Sequence, residues 1–243
     1  MSVKDIILKP VSRQKANRFV EKNHYSGTTL EYSHLHLGVF YKGSLVGALQ
    51  YGDPVNREKT VGLVEGTGWN EVMELNRMAL NDNAPPHSAS RCLSVSIKMF
   101  KKHAPHVKWI ISYADASQCG DGAIYRAANF VLTGIKKNKD LLRLSNGDVR
   151  SGLGMRTNAK NSPVEAWGGK TPVQVCNGNP SKKKIIDNTD AEPVPGYQLR
   201  YMYFIDKDYR DNLTVPEIPY DRIDELDAGM YKGEKISVAE RKP

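Results

Sequence analysis

The chain has 243 residues, of which 40% are hydrophobic and 26% charged, a composition typical of a globular protein with one large domain or a compact domain plus an appendage. Its three cysteines form no CxxC pair, which argues against a disulfide framework or a structural zinc site and predicts a reducing, cytosolic compartment. Apolar runs are too short for a membrane span, and the N-terminal segment is too interrupted for a signal peptide.

Basic residues exceed acidic ones, which gives a formal net charge of +8 and an isoelectric point of about 9.2. An excess of this sign favours polyanionic partners, chiefly through phosphate contacts that release counterions. Many basic proteins bind no nucleic acid, so the charge alone leaves the partner open.

The first half of the chain predicts a helix, a hairpin and a long strand. Apolar residues recur at helical spacing over residues 12–22, with Ser12 as the N-cap. Residues 35–41 and 45–51 read as two strands around a glycine-containing turn, which predicts a β-hairpin. Alternation over residues 72–80 predicts a third strand, with Met73, Leu75, Arg77 and Ala79 on one face.

The second half continues with a loop at residues 81–86 and a helix from about Ser88. An apolar run predicts a buried strand that ends at Asp115, and a loop at 116–121 leads to a short helix over 122–132 that Gly134 stops. The pattern weakens over the basic residues 136–184, and an aromatic-rich strand follows at 197–205.

This order of elements predicts an α/β (α+β) fold with a mixed central sheet flanked by helices. We expect a single domain over residues 1–205 with a basic insertion around 136–184, and an acidic tail over 206–243 that wraps the surface or is partly disordered. Ligands of such sheets bind near strand C-termini, where neighbouring strands splay.

The first segment that carries chemistry is ELNRMAL at residues 74–80, followed by a Pro/Ser loop and HSASR at 87–91. It resembles the central strand and cofactor helix of the GNAT acyltransferases, in which a helix N-terminus binds the cofactor pyrophosphate. The usual glycine-rich loop of that family is absent. Small residues still let a phosphate approach, so Ser88, Ser90 and Arg91 are the predicted cofactor-binding residues; a capped helix with a surface arginine is the alternative.

The second segment is WIISYAD at residues 109–115, followed by GAIYRAANF at 122–130. With NHYSG at 23–27 and LRYMYF at 199–204, these segments resemble the phage Mom proteins over roughly residues 10 to 205. The late motif of that family runs strand, alanine-aspartate, loop and Gly-x-x-Tyr-x-x-x-Asn-[Phe/Trp].

The resemblance implies an enzyme that adds a methylcarbamoyl group to the N6 amine of adenine in DNA and protects phage DNA from restriction in the host cytoplasm. Duplex adenine is stacked and paired, so such an enzyme must flip the base. The fold implies acetyl-CoA or another acyl or aminoacyl donor. Aminoacyl-tRNA stays open as a donor and partner, because a basic surface and an altered cofactor loop suit RNA as well.

Three residues of the two segments are the main catalytic candidates. Asp115 emerges from an apolar wall, where a carboxylate serves as general base or substrate orienter. Tyr125 occupies the position at which GNAT enzymes commonly protonate the leaving thiolate, and Asn129 is predicted one turn further on the same face to contact the cofactor. Arg77 requires a partner on its apolar face, either Asp115 or a phosphate or carbonyl of the substrate. A loop cap, a core tyrosine and a buried ion pair are the respective alternatives.

His24 and Tyr25 are predicted to line the base pocket, with Tyr25 stacked on a flipped adenine. His24 is also a candidate metal ligand, as is His36, which is predicted to face the same side of a strand as His34. Adding this group is not simple acyl transfer, so iron is a candidate metal, although no carboxylate completes an obvious ligand triad.

Clustered basic residues suit a track for the phosphate backbone of double-stranded DNA, with a solvated face as the alternative for each cluster. A second copy of the chain is a further candidate partner, and no membrane is expected. The clusters comprise Lys98, Lys101, Lys102, His103, His106 and Lys108; Lys136, Lys137, Lys139 and Arg143; and Lys182, Lys183 and Lys184.

Two other functions stay open. One is a GNAT-type acyltransferase that acts on a small amine or a protein, which the basic balance and the missing glycine-rich loop disfavour. The other is a non-catalytic DNA-binding protein, which the predicted arrangement of Asp115 and Tyr125 disfavours.

Overall fold

The computed structural model describes residues 2–116, 120–157, 160, 163–231 and 234–235. In the described part of the chain, no helix is long and apolar enough to cross a membrane. Twelve strands are described: β1 (Ile7–Pro10), β2 (Ser33–Tyr41), β3 (Ser44–Gly52), β4 (Val72–Leu80), β5 (Trp109–Asp115), β6 (Val131–Lys137), β7 (Leu141–Arg143), β8 (Val149–Ser151), β9 (Glu192–Pro193), β10 (Tyr197–Phe204), β11 (Met230–Tyr231) and β12 (Glu234–Lys235).

The α-helices described between these strands are mostly short. They are α1 (Arg13–Asn23), α2 (Arg57–Val61), α3 (Ser88–His103), α4 (Ala123–Arg126), α5 (Gly152–Thr157), α6 (Pro172–Val175), α7 (Lys182–Asn188) and α8 (Asp221–Glu225). Three short 3₁₀ helices cover Val3–Asp5, Glu165–Trp167 and Lys207–Arg210.

Seven strands form the central sheet in the order β1-β2-β3-β4-β5-β10-β6. β4 and β5 run parallel, and the other neighbouring pairs of this sheet are antiparallel. Helix α3 packs its buried Leu93, Ile97 and Phe100 into the main core on one face. Helix α1 packs Phe19 and Val20 against the opposite face. The predicted mixed sheet flanked by helices is therefore confirmed.

Local sequence signals located several elements correctly. Ser12 caps α1, because its side chain accepts a hydrogen bond from the Lys15 backbone N–H at 3.3 Å. The hairpin β2–β3, the strands β4 and β5 and the start of α3 at Ser88 lie where the periodicity predicts them. Each apolar side chain that α3 buries contributes roughly 1.5–3 kcal/mol, which explains why this pattern dominates the local outcome.

The predicted helix over residues 122–132 is wrong in length. Helix α4 covers only Ala123–Arg126, and Asn129 adopts the left-handed region with φ at 62°, which ends the helical path. Leu132, Thr133 and Gly134 then belong to β6, where pairing with β10 outweighs the helical preference of the alanine-rich sequence. Residues 117–119 of the predicted loop lie outside the described residues.

The structure adds one strand that was not predicted, and it shows part of the acidic tail in one of its two expected forms, packed on the surface. Strand β1 at the sheet edge was not predicted, and it pairs with β2 from Ile7 to Pro10. Part of the acidic tail packs on the body: the Tyr209 hydroxyl donates to Glu71 at 2.9 Å, and the Tyr220 hydroxyl donates to the Phe130 carbonyl at 2.6 Å.

Candidate active site

The central sheet opens between its parallel strands. β4 and β5 pair from Val72 and Trp109 up to Leu75 and Ser112. Beyond that point β4 continues beside β3 to Leu80, and β5 continues beside β10 to Asp115. The two strands therefore part at their carboxyl ends, which is where ligands bind in open α/β sheets.

A β-bulge at Asn76 marks the opening and overturns one prediction. Leu75 pairs with Tyr51 and Arg77 pairs with Gln50, so Asn76 is the extra residue on β4. Met73 and Leu75 belong to the α3-side core, whereas Ala79 packs in the α1-side cluster. The prediction that Met73, Leu75, Arg77 and Ala79 share one face is wrong, because the bulge reverses the alternation after Leu75.

Arg77 connects the opening to the segment after α1. Its Nε donates to the Thr28 carbonyl at 3.1 Å, and Nη1 donates to the Asn76 carbonyl at 2.7 Å. These bonds hold residues 24–28 beside β4. The structure thus brings together three predicted site residues, Arg77, His24 and Tyr25.

His24 is a neutral imidazole in this position. Burial, with the nearby Arg77 charge as the smaller cause, lowers its pKa to about 3. Its Nδ1 lies 2.8 Å from the Ser26 hydroxyl and accepts from the Ser26 backbone N–H at 3.1 Å, which leaves the ring proton on Nε2. The Tyr25 ring, 53% exposed, lies 4.2 Å from the His24 ring between centroids.

This arrangement does not fit the predicted metal site. A histidine that binds a metal through Nε2 donates its Nδ1–H to an acceptor, whereas Nδ1 of His24 faces the Ser26 N–H. His36 is buried on β2, where its Nδ1 lies 3.3 Å from Nε2 of Gln50, while His34 is exposed. Among the described residues, no group of three or more His, Cys, Asp or Glu side chains could hold a metal ion.

Glu74 is a residue of the opening that sequence reasoning missed. It is only 7% exposed, and burial raises its pKa to about 7 against hydrogen bonds from Asn76 and the Val55 backbone and the charge of Arg77. Its charge also acts with burial to raise the pKa of Tyr32 and of Tyr113. The available signal was a carboxylate between the apolar residues Met73 and Leu75 of a predicted strand, where a charged group is rare without a partner.

Asn76 supplies a second polar group that was not predicted. Its Oδ1 accepts from the Ser33 hydroxyl at 2.9 Å, which fixes the orientation of the amide. Its Nδ2 is buried and forms no hydrogen bond of good geometry among the described residues, although it lies close enough to the Glu74 carboxylate to favour the charged form of that group. A buried amide donor without a well-formed hydrogen bond is costly, so a ligand acceptor at this point would be stabilised.

Asp115 and Tyr125 lie on opposite faces of the sheet at β5. Asp115 ends β5 and by strand alternation shares the face of Tyr113. Tyr125 is only 7% exposed on the opposite face, where its hydroxyl accepts from the Ser112 hydroxyl at 2.8 Å and its ring stacks on Tyr201. The two side chains therefore do not lie on one face of β5, and their catalytic roles stay predictions.

The predicted cofactor-binding residues lie at two helix ends. At the start of α3 the hydroxyls of Ser88 and Ser90 donate to the carbonyls of Pro85 and His87, so they are not free donors for a phosphate. Arg91 has a buried Nε without a hydrogen-bond partner in the described part of the chain. Asn129 is exposed and ends the turn after α4.

These features define a mixed α/β protein with polar side chains where its central parallel strand pair opens. The chain belongs to the Mom protein family, whose profile matches residues 5–222. The predicted family is therefore confirmed.

Known proteins resemble the chain to different degrees. The methylcarbamoylase Mom of Escherichia phage Mu is 38% identical over 132 residues, which make up 54% of each chain, so this chain spans about half the length of the curated relative it matches. A GNAT family acetyltransferase from Elizabethkingia anophelis with acetyl-CoA bound is 12% identical, with a TM-score of 0.45 over 82% of this chain and 98% of that chain. An N-acetyltransferase from Staphylococcus aureus is 8% identical, with a TM-score of 0.42 over 82% and 97%.

Proposed function

We propose that this protein modifies the N6 amine of adenine in DNA with a methylcarbamoyl group, in the host cytoplasm, and so protects phage DNA from restriction. Membership of the Mom family supports the proposal. So does the 38% identity to a relative named as a methylcarbamoylase. The observation that carries it is the bond from Arg77 to Thr28, which holds the segment with an exposed tyrosine and a neutral histidine beside β4, the strand that borders the opening.

The opening suits a base that has been flipped out of a duplex. Tyr25 exposes half of its ring at the rim, and stacking on such a ring stabilises an unstacked base by about 1–3 kcal/mol. Asn76 Nδ2 and the Arg77 guanidinium on the neighbouring β4 are donors, and adenine offers ring nitrogens as acceptors.

The reaction requires a proton to leave N6 as the nitrogen bonds to the incoming carbon. Asp115, at the end of β5, is the proposed acceptor of that proton. Glu74 is the proposed second acid–base group, because a carboxyl with a pKa of about 7 exchanges protons readily near neutral pH. Tyr125 remains the proposed acid for the leaving group, reached through the Ser112 side of the opening.

The proposed donor is an acyl-CoA-type molecule bound at the N-terminus of α3. The first-turn N–H groups of a helix bind phosphate oxygens, and the unpartnered Nε of Arg91 adds a charged donor there. Ser88 and Ser90 would contribute their backbone N–H groups rather than their hydroxyls. A donor that carries the methylcarbamoyl group as a thioester would supply that group: the bond from N6 to its carbonyl carbon would form as the C–S bond breaks, and the thiolate would leave after protonation.

Mass spectrometry of nucleosides tests this function directly. Plasmid DNA from cells that express the parent chain, an Asp115→Asn variant and an Asp208→Asn control would be digested and analysed. Asp208 is an exposed carboxylate on the 3₁₀ helix after β10. We expect a methylcarbamoyl-modified deoxyadenosine for the parent and the control and little for Asp115→Asn.

The same experiment distinguishes the other candidate functions. Unmodified deoxyadenosine from all three soluble proteins would contradict adenine modification. DNA binding without modification would then favour a non-catalytic protein, and acylation of added polyamines or peptides without DNA binding would favour an ordinary acyltransferase.

A further inference from the structure

The net positive charge of the chain is confined to one segment. Residues 136–184 hold 11 of the 35 lysines and arginines but only 3 of the 27 acidic residues, a formal charge of +8. The rest of the chain has 24 residues of each sign and is neutral. A polyanion is therefore expected to bind at this segment.

Residues 138–184 of that segment belong to a folded unit between β6 and β10, residues 138–196, which we call the insertion. It holds 9 basic and 6 acidic residues, while Lys136 and Lys137 lie at its base, at the end of β6. It has its own three-stranded sheet, in the order β8-β7-β9. It also has its own core, made of Leu142, Leu144, Met155, Val164, Cys176, Ile185 and Ala191. Its cations are thus carried by a packed scaffold, which reduces the conformational entropy lost when they bind a partner.

The insertion leaves the central sheet from the end of β6 that lies at the same end of the strands as the candidate active site. Gln198 of β10 pairs with Asp115 of β5 on one side and with Lys136 of β6 on the other. These three residues form one row across the sheet, and neighbouring strands lie about 4.8 Å apart. Lys136 is therefore about two strand spacings from the proposed catalytic carboxylate.

Part of the charge in this region has no internal compensation. Ion pairs engage Arg156 with Asp140 at 2.9 Å and Lys183 with Asp187 at 2.6 Å. Lys136, Lys137 and Lys139 are exposed and form no ion pair within the described residues. Exposed lysines without ion-pair partners, at the same end of the sheet as Asp115, are suited to phosphate oxygens.

We propose that the lysines at the base of the insertion are the DNA-docking element of this protein. They bind the phosphate backbone beside the target adenine. The equally basic cluster in the last turns of α3 does not contribute, because it leads to the start of β5, at the opposite end of that strand from Asp115. This inference rests on the proposed function, because the site it serves is the adenine site. Phosphate contacts carry no base information, so the element positions DNA and leaves base recognition to the candidate active site.

Two matched triple variants test this assignment. The insertion triple, at the base of the insertion, combines Lys136→Gln, Lys137→Gln and Lys139→Gln. The α3 triple combines Lys98→Gln, Lys101→Gln and Lys102→Gln. Each removes three positive charges from exposed positions. Fluorescence anisotropy with a short duplex over a series of salt concentrations, together with melting temperatures, would be measured for both and for the parent.

We expect the insertion triple to reduce the slope of log K against log salt by about 2–3, and the α3 triple to keep the parental slope. The insertion triple should also raise KM for DNA and keep the parental kcat. A Lys136→Gln and Lys139→Gln double variant provides a second test in case the first triple melts early; its slope should fall by roughly 1–2.

Equal losses in the two triples, or no loss in either insertion variant, would overturn the assignment. A loss of tRNA affinity alone would also overturn it, in favour of an RNA partner. If the parent modifies adenine while the triples bind DNA alike, the docking proposal fails and the function stands. If the parent modifies nothing while only the insertion variants lose DNA affinity, the docking proposal stands and the function fails.

Discussion

Arg77 donates a hydrogen bond from Nε to the carbonyl of Thr28 at 3.1 Å, across 49 positions of the sequence. Its second bond, to the Asn76 carbonyl, lies at the bulge of β4. One guanidinium therefore couples the segment that carries His24 and Tyr25 to the strand that carries Glu74. We regard this coupling as the structural basis of the candidate site.

The first prediction concerns that coupling. An Arg77→Met change leaves two carbonyls without their donor, so we expect a loss of about 1–3 kcal/mol in unfolding free energy and faster hydrogen exchange at residues 24–28. The rate of adenine modification should fall by at least about 10²-fold, as it does when a general acid or base is lost. Arg13→Met is the control, because Arg13 donates to the Glu31 carbonyl outside the opening. Parental exchange at residues 24–28 in Arg77→Met would contradict the coupling.

Asp115 is predicted to act in the chemical step. Asp115→Asn keeps the size of the side chain and removes its basicity, so we expect a decrease in kcat of about 10²–10⁴-fold. Duplex binding and melting temperature should match the parent. If Asp115→Asn keeps a near-parental kcat and melting temperature, Asp115 is not the general base. Glu74 is then the next carboxyl to test.

Tyr125 can be tested against its own hydrogen-bond partner. Tyr125→Phe and Ser112→Ala both remove the 2.8 Å bond between the two hydroxyls, at a cost of about 1 kcal/mol each. Only Tyr125→Phe removes the phenol, so we expect activity to fall at least about 10²-fold in that variant and to stay close to parental in Ser112→Ala. Activity that simply follows melting temperature in both variants would make Tyr125 a core residue.

The raised pKa of Glu74 makes the free energy of unfolding depend on pH. Burial raises its pKa from 4.5 to about 7, so the folded state holds this proton more tightly than the unfolded chain does. The resulting stabilisation is present below the unfolded pKa and is lost as pH rises through the folded one. Between about pH 5 and pH 8 the loss amounts to about 2–3 kcal/mol.

Urea unfolding of the parent and of Glu74→Gln at these two pH values measures the effect. His24 acts in the opposite direction, because its lowered pKa makes stability fall as pH drops below its ordinary value of 6.5. The difference between parent and variant isolates Glu74 from His24. A difference that does not change with pH would show that Glu74 ionises normally.

Arg91 is predicted to contact the group donor. Removing its charge in Arg91→Leu should weaken acetyl-CoA binding in calorimetry by about tenfold, because a charge-assisted hydrogen bond contributes roughly 1.5–3 kcal/mol. Lys102→Leu, at the far end of α3, is the control. Equal acetyl-CoA affinities of the two variants would contradict a donor site at the N-terminus of α3. Competition of aminoacyl-tRNA with acetyl-CoA in the parent would instead support the RNA donor.

The sequence by itself determined those features whose physical cause is local. Helical periodicity defined α1 and α3, the Ser12 cap fixed the start of α1, and an apolar run defined β5. Motif letters at residues 23–27, 74–80 and 122–130 were enough for the family, because they reflect side-chain chemistry and not packing.

The tertiary structure decided what depends on pairing between distant segments. The bulge at Asn76 arises from the register of β4 against β3, and it moved Arg77 to the face where it can reach Thr28. The buried state of Glu74, and hence its raised pKa, depends on segments far away in the chain, including Val55. The row that joins Asp115 to Lys136 exists only because β10 inserts between β5 and β6, and no local pattern encodes that order.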